Sequence, residues 1–454
     1  MKDRLELFNA KQALLTQTKA RQRLAALFDE GSFRELDRFA FSADKPCEVV
    51  CGYGLCNGAP LYAFAQDIEV HFGAMGKAQG AKIKRLYDLA AKTGTPIVGI
   101  FDSQGAHVEE ELDALNAYGE LIAAASAVSG VIPQIALVLG SCVGSQAVLA
   151  SLFDIVIMSQ SAELSLSSAF LLGDSVGSAE TAAKNGTAAL VTETEEEAIS
   201  KAIALLSYLP SNNLSTPFIA DYVPSTSTDA SVETLVDGDS FFALSSDYGR
   251  CVVTGLARVG GTSVGIIATG AEYNDKKLCG AGAVKIARFV RFCDAFSLPV
   301  ITLLDCNGFD VDAAAEQNGD MKYIAMLTHA YAEATTAKIT VITGKAYGSV
   351  YTAFAGKAAG TDAVFALHNA EIAALAPETA VQFLYKERLD GENRGALINE
   401  YLETVASPFR AAEQGLIDDV ITVDSMAGSV ISALEMLESK RVSTMNKKHS
   451  NIPL

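Results

Sequence analysis

Residues 82–108, KIKRLYDLAAKTGTPIVGIFDSQGAHV, decide the reading of this chain, because residues 285–311, KIARFVRFCDAFSLPVITLLDCNGFDV, repeat them. Lys82, Pro96, Asp102, Gly105 and Val108 fall on Lys285, Pro299, Asp305, Gly308 and Val311 at one constant offset. Two further matches follow in the same order. Residues 135–145, IALVLGSCVGS, align with 339–349, ITVITGKAYGS, and residues 154–163, DIVIMSQSAE, align with 362–371, DAVFALHNAE. A period of about two hundred residues is far longer than a solenoid unit, so the chain reads as two related domains. We place them at residues 1–220 and 221–454, with the Ser-, Thr-, Pro- and Asn-rich stretch 207–228 as linker.

Each copy has the same grammar. Apolar positions Ile83, Leu86, Leu89 and Ala90 predict a helix that passes through Gly94 and Pro96 into an apolar strand at 97–101. A helix over roughly 112–129, a strand at 135–139, a glycine turn, another helix and a strand at 155–158 follow. Continuous apolar strands alternating with helices predict an α/β fold with buried, largely parallel strands. One N-terminal helix is expected over about 3–28, and a basic tail begins at Lys440.

The composition excludes several classes. Of 454 residues, 50% are apolar and 20% charged, which is not the balance of a disordered polyelectrolyte. The net charge of -19 repels phosphate backbones and argues against a nucleic-acid partner. Eight Cys are too few for a disulfide scaffold. Cys47, Cys51 and Cys56 cluster, but three thiols without a nearby fourth ligand make an incomplete zinc site, so no metal is expected. Residues 121–153 lack any charged side chain, yet Pro133, Gly140, Gly144 and many Ser interrupt them, which suits a buried strand and helix better than a membrane span. With no apolar run behind its first charges, the chain reads as soluble and cytoplasmic.

Chemistry is expected at the two strand–turn–helix joints, residues 140–145 (GSCVGS) and 344–349 (GKAYGS). A glycine in such a turn admits close approach of a ligand, and the backbone N–H groups at the helix start face whatever binds there. Two such turns suit chemistry that develops an oxyanion on each of two reactants. Gly344-Lys345 is a poor phosphate loop, because Ala346 stands where Ser or Thr would hold magnesium. Gly140-Ser-Cys142-Val-Gly144 has the form of a nucleophile elbow with Cys142 as attacker, needing a histidine such as His329 or His368. Its twin carries Ala346, which favours a backbone role. His107, on the loop after the first repeated strand, is a further candidate. Glu109, Glu110 and Glu111 read as the solvated start of a helix.

Several strings carry a family likeness: residues 21–33 (RQRLAALFDEGSF), 130–134 (GVIPQ), 206–213 (LSYLPSNN), 285–296 (KIARFVRFCDAF), 330–334 (AYAEA), 345–348 (KAYG) and the ending 448–454 (KHSNIPL). The chain resembles, nearly end to end, the carboxyltransferase subunits of biotin-dependent acyl-CoA carboxylases and of the related sodium-pumping decarboxylases. The resemblance implies two tandem crotonase-like domains, dimers that assemble into a hexamer, and an active site between the N domain of one subunit and the C domain of its partner. Carboxybiotin would arrive on a separate biotin carboxyl carrier protein and release carbon dioxide. The biotin enolate would take the α-proton of an acyl-CoA, and the thioester enolate would attack carbon dioxide. By position, the N–H groups of Gly144 and Ser145 would hold the thioester oxygen, and those of Ser349 and Val350, beside Gly348, the biotin oxygen.

The resemblance further implies substrate contacts at Gly105, Ala106, His107 and Gly308, and a specificity position at Thr352. Partners would be a biotin carboxylase, or membrane decarboxylase subunits to which the chain is peripheral. Coenzyme A is a polyanion, so cations must meet it against the global charge; Arg21, Arg23, Lys82 and the basic tail are the candidates. The chain departs from the family at these same loops. Gly-Gly in both turns is Gly144-Ser145 and Gly348-Ser349, Gly-Gly-Ala-Arg is Gln104-Gly-Ala-His107, Pro-Gly-Phe is Asn307-Gly-Phe309, and the Gly-Gly-x-x-Thr-His stretch is replaced at 178–185. The sequence therefore leaves three readings: an active carboxyltransferase, a non-catalytic subunit paired with an active paralogue, and a Cys142 hydrolase.

Overall fold

The computed structural model describes residues 4–42, 45–167, 173, 176–389 and 393–453. They form two compact units, residues 1–217 and 218–454. In the first unit, strands β1 (Arg34–Leu36), β2 (Val49–Cys56), β3 (Ala59–Gln66), β4 (Ile97–Ser103), β5 (Gln134–Val143) and β6 (Ile155–Ser159) lie in that order. A short β7 (Glu163–Ser165) adds to the far end of β5, and β8 (Leu190–Thr192) closes the edge beside β6. β1 to β3 pair antiparallel and the rest parallel.

The second unit repeats this topology with β9 (Phe242–Leu244), β10 (Val252–Val259), β11 (Thr262–Thr269), β12 (Val300–Cys306), β13 (Lys338–Tyr347) and β14 (Ala363–Leu367). There β15 (Glu371–Ala373) extends β13, and β16 (Asp419–Ile421) takes the edge. Every residue of β4 is buried: the apolar run 97–101 as a parallel strand covered on both faces requires, and Asp102 and Ser103 at its end.

Helices α1 (Lys19–Leu27), α2 (Lys77–Thr93), α3 (Leu112–Ala127), α4 (Ser145–Ser151) and α5 (Glu195–Leu206) cover the first sheet. In the second unit, α6 (Gly280–Ala295), α7 (Met321–Glu333) and α8 (Val423–Leu437) do the same work. α2 buries Ile83, Leu86, Tyr87 and Ala90, a stripe at helical spacing. Tyr87 thus takes the core place expected of Leu89, and its hydroxyl donates to Gln134 Oε1 (3.1 Å). The helix stops at Gly94, whose φ of 61° is the left-handed conformation of a C-cap. The single N-terminal helix expected over 3–28 is two, Arg4–Ala13 and Lys19–Leu27. The first buries no residue, and its Phe8 ring meets Phe39 edge-on with centroids 5.7 Å apart. The uncharged stretch 121–153 becomes the end of α3, β5 and α4. Among the described residues, no helix is long and apolar enough to cross a membrane.

One irregularity positions the site. β4 and β5 lose register between Phe101 and Ser103, and β12 and β13 do so between Leu304 and Cys306. Gly140 and Gly344 sit at these shifts. A Cβ on Gly140 would lie 2.0 Å from Asp102 Oδ1, and one on Gly344 2.4 Å from Asp305 Cγ. The glycine opening each turn therefore makes room for a strand-end aspartate of the protein itself, not for a ligand.

Candidate active site

Beneath the first turn, Asp102 is held from several sides. Arg23 Nη1 on α1 donates to its Oδ2 (2.7 Å), and its backbone N–H donates to Gln66 Oε1 (3.1 Å). Gln66 Nε2 donates to Gln146 Oε1 (3.1 Å), while Gln146 Nε2 donates to Ser103 O (2.6 Å). This buried network ties the ends of β3 and β4 to the start of α4. The second unit uses the same frame with different residues. The Asp305 N–H donates to Thr269 Oγ1 (2.9 Å), Lys345 N–H to Asp305 Oδ1 (2.9 Å), and Lys276 Nζ to Asp305 Oδ2 (2.6 Å).

The turn itself then follows. Gly144 has φ 74° and Gly348 φ 63°, the left-handed region that glycine enters without strain. Gly144 N–H donates to Ser165 O on β7 and Gly348 N–H to Ala373 O on β15, both at 2.9 Å. Gly144 N–H is therefore unavailable to a thioester oxygen, contrary to the expectation from sequence. The next two N–H groups have no acceptor among the described residues: Ser145 and Gln146 in one unit, Ser349 and Val350 in the other. The first four N–H groups of a helix lack partners within it. Ser145 and Ser349 do not adopt positive φ, so the Gly-to-Ser replacements strain neither backbone. They supply no argument for a non-catalytic subunit. Thr352 lies in the turn Tyr351–Ala355 after Gly348, with Oγ1 donating to Ser349 O (3.0 Å).

The loops after β4 and β12 match as well. Gly105 (φ 123°) and Gly308 (φ 117°) accept N–H bonds from Met75 (2.9 Å) and Leu278 (3.0 Å), and His107 N–H returns to Met75 O (2.7 Å). Ala106 bridges Met75 in parallel, as Phe309 bridges Leu278. Glu110 is not simply solvated: its Oε2 accepts Lys77 N–H (2.7 Å) and so caps α2.

Most of the cations proposed for coenzyme A are spent elsewhere. Arg23 is buried among Asp102, Glu195 Oε2 (2.8 Å) and the carbonyl of Leu139 (3.3 Å). Arg21 grips Glu35 through both terminal nitrogens (2.7 and 3.2 Å). Lys82 is buried, donating to Val49 O (2.9 Å), and Lys285 repeats the bond to Val252 O (2.7 Å). Burial pushes the Glu35 carboxyl upward, against the pull of Arg21 and Lys82. In the tail, Lys440 pairs with Asp362 (2.7 Å) and Lys447 with Glu333. Arg21, Arg23 and Lys82 are conspicuous in the sequence because they hold the fold, so they are withdrawn as substrate contacts.

Cys142 is fully buried, and burial pushes its thiol far upward, with Glu163 adding to the effect. A buried neutral thiol is no nucleophile, which removes the hydrolase reading. The activated thiol is Cys279, at the N-cap of α6. The Cys251 thiol, 3.0 Å away, and backbone N–H groups that include Gly282 and Ala281 hold it below the ordinary thiol range despite its burial. Iodoacetamide at neutral pH should alkylate Cys279 first and leave Cys142 intact until the chain unfolds. Peptide mass mapping checks this, and equal labelling of the two would contradict it.

Sequence reasoning missed one constellation. Glu48, His71 and His107 bring three ligand atoms within 4.8 Å of one another. Residues so far apart in sequence form no local motif; only the packing of the turn at His71 against the 104–107 loop reveals them.

A duplicated α/β fold whose two glycine turns present backbone N–H pairs is the architecture of a carboxyl transferase, and the chain belongs to that family. The carboxyl transferase domain matches residues 16–452. Methylmalonyl-CoA decarboxylase subunit alpha of Propionigenium modestum is 35% identical, over 96% of this chain and 93% of that protein. The carboxyltransferase subunit of propionyl-CoA carboxylase from Haloferax mediterranei is also 35% identical, with the same coverage. Transcarboxylase 12S, solved as a hexamer with methylmalonyl-CoA bound, superposes with a TM-score of 0.91 at 33% identity, covering 98% of this chain and 94% of that one.

Proposed function

We propose that the chain moves a carboxyl group between carboxybiotin on a separate carrier protein and a short acyl-CoA. The observation that carries this reading is the paired turn. Each unit holds a glycine in the left-handed region, spends that glycine's N–H on a short flanking strand, and leaves the next two N–H groups without acceptors among the described residues. Donors fixed before the reaction stabilise a developing oxyanion without reorganisation. Ser145 and Gln146 serve one enolate, Ser349 and Val350 the other. In this reading proton removal falls to the biotin enolate itself. The loops at Gly105–His107 and Gly308, with Thr352, line the substrate side.

The relatives name methylmalonyl-CoA and propionyl-CoA, and these are the substrates to test first. A hexamer built from this chain, alone or with a paralogue, and working with a biotin carboxylase or with membrane decarboxylase subunits, is the assembly that fits those relatives. The purified chain, given methylmalonyl-CoA labelled in its free carboxyl and a biotinylated carrier protein, should transfer label to the carrier. Label that stays on the thioester, in the presence of an intact hexamer, would refute the reading.

A further inference from the structure

We propose that Glu48, His71 and His107 form a binding site for a divalent transition-metal ion, with Zn2+ as the fitting occupant. Glu48 precedes β2 and is completely buried; Oε1 accepts from His71 Nδ1 (2.6 Å) and lies 3.3 Å from His107 Nε2. Its Oε2 is held by Gln79 Nε2, and Gln79, also buried, is fixed by accepting Gly76 N–H (3.0 Å) at Oε1. The two imidazole rings stand nearly perpendicular (82°), with centroids 5.8 Å apart. A buried carboxylate oriented by an amide, facing two imidazoles, is a Zn2+ ligand set with an outer partner already in place.

One ligand separation already suits this ion. Zn2+ bonds of about 2.0–2.1 Å in a tetrahedron set ligand atoms about 3.3 Å apart. The Glu48–His107 separation meets that value. His71 has to retreat by several tenths of an ångström as the ion displaces the proton it shares with Glu48. Its side chain, 35% exposed, has room to do so. His107 is 18% exposed, so the fourth position faces solvent and takes a water or an oxygen anion.

Internal duplication separates this site from a requirement of the fold. The second unit repeats the surrounding frame, including the left-handed turn at Asp275 and Lys276 that matches Phe72 and Gly73. By strand register Glu48 corresponds to Cys251, and along the matched helices and loops Gln79 corresponds to Gly282 and His107 to Asp310. The frame therefore closes without this ligand set. In the first unit, His71 (φ 43°) and Phe72 (φ 57°) hold a conformation that costs non-glycine residues free energy. That turn is what delivers the His71 ring to Glu48. The site stands whether or not the chain transfers carboxyl groups, since its test reads binding alone.

The full chain, stripped with a chelator, is titrated with Co2+ and then challenged with Zn2+. One Co2+ per chain should bind, giving the visible bands of a nitrogen–oxygen tetrahedral site without the intense near-ultraviolet band of thiolate ligation, and Zn2+ should displace it. His71→Gln and His107→Gln, both at partly exposed positions, should abolish the bands while circular dichroism stays native. Gln79→Ala should weaken binding by about 10- to 100-fold, as loss of an orienting outer partner does. No saturable Co2+ signal in the unmodified chain would overturn the site. So would thiolate-type bands, or binding undiminished in the folded His71→Gln, His107→Gln double variant.

Discussion

Replacing Ser145 by proline should slow carboxyl transfer by about 10²- to 10³-fold, the usual effect of removing one oxyanion donor, while the fold persists. Ser145 opens α4, and proline is tolerated at the first helical position because its missing N–H has no partner within the helix. The residue before it, Gly144, has ψ -135°, outside the α region that a following proline disfavours. The substitution therefore deletes the N–H and little else. Ser145→Ala keeps the N–H and removes the hydroxyl, so it should retain nearly the full rate, which separates the backbone donor from the side chain. Ser349→Pro makes the equivalent deletion in the second unit and should also slow the overall reaction, because in the proposed mechanism the two enolates form in succession. The measurement is kcat for label transfer from methylmalonyl-CoA to the carrier, with melting profiles alongside. A Ser145→Pro enzyme that melts like the parent and works at its rate would remove this turn from the chemistry.

Most of the fold was legible because duplication writes it twice. The match of residues 82–108 to 285–311 marks the same helix, strand and loop, and β4 and β12 emerge with the same neighbours on either side. The turns were legible as turns, since Gly144 and Gly348 stand at positive φ. Which N–H groups they leave open was not. That depends on β7 and β15, three-residue strands whose pairing with β5 and β13 takes up the glycine N–H. Strands so short carry no periodicity to read. Which glycine of the turn makes an opening was not legible either: at Gly140, Asp102, far away in sequence, fills the space that a Cβ would occupy. The basic residues misled for a related reason. An arginine in a sequence shows its charge but not its partner, and Arg23 finds its carboxylates on β4 and α5.

Replacing Asp102 by alanine should cost the first unit about 3–5 kcal/mol, the range for breaking a buried ion pair from one side. The Arg23 and Asp102 side chains are 4% and 8% exposed, so the guanidinium would keep only Glu195, 22% exposed, and one carbonyl as acceptors. The twin substitution, Asp305→Ala, should cost much less, about 1 kcal/mol, because its partner Lys276 is 39% exposed and regains water when the carboxylate is lost. Two substitutions at matched positions of one repeated fold should thus differ several-fold in effect. Because the chain has two units, a single melting temperature mixes them. Hydrogen exchange resolves the units, with faster exchange at the amides of β4 and β5 in Asp102→Ala and a smaller change at β12 and β13 in Asp305→Ala. Equal effects would mean that burial of the cation does not set the cost. The same logic predicts how Arg23→Met behaves: it exchanges faster at β4, yet any of it that stays folded binds acyl-CoA with unchanged affinity. The phosphates of coenzyme A, approaching a chain of net charge -19, must be met by cations other than those locked beneath the turn.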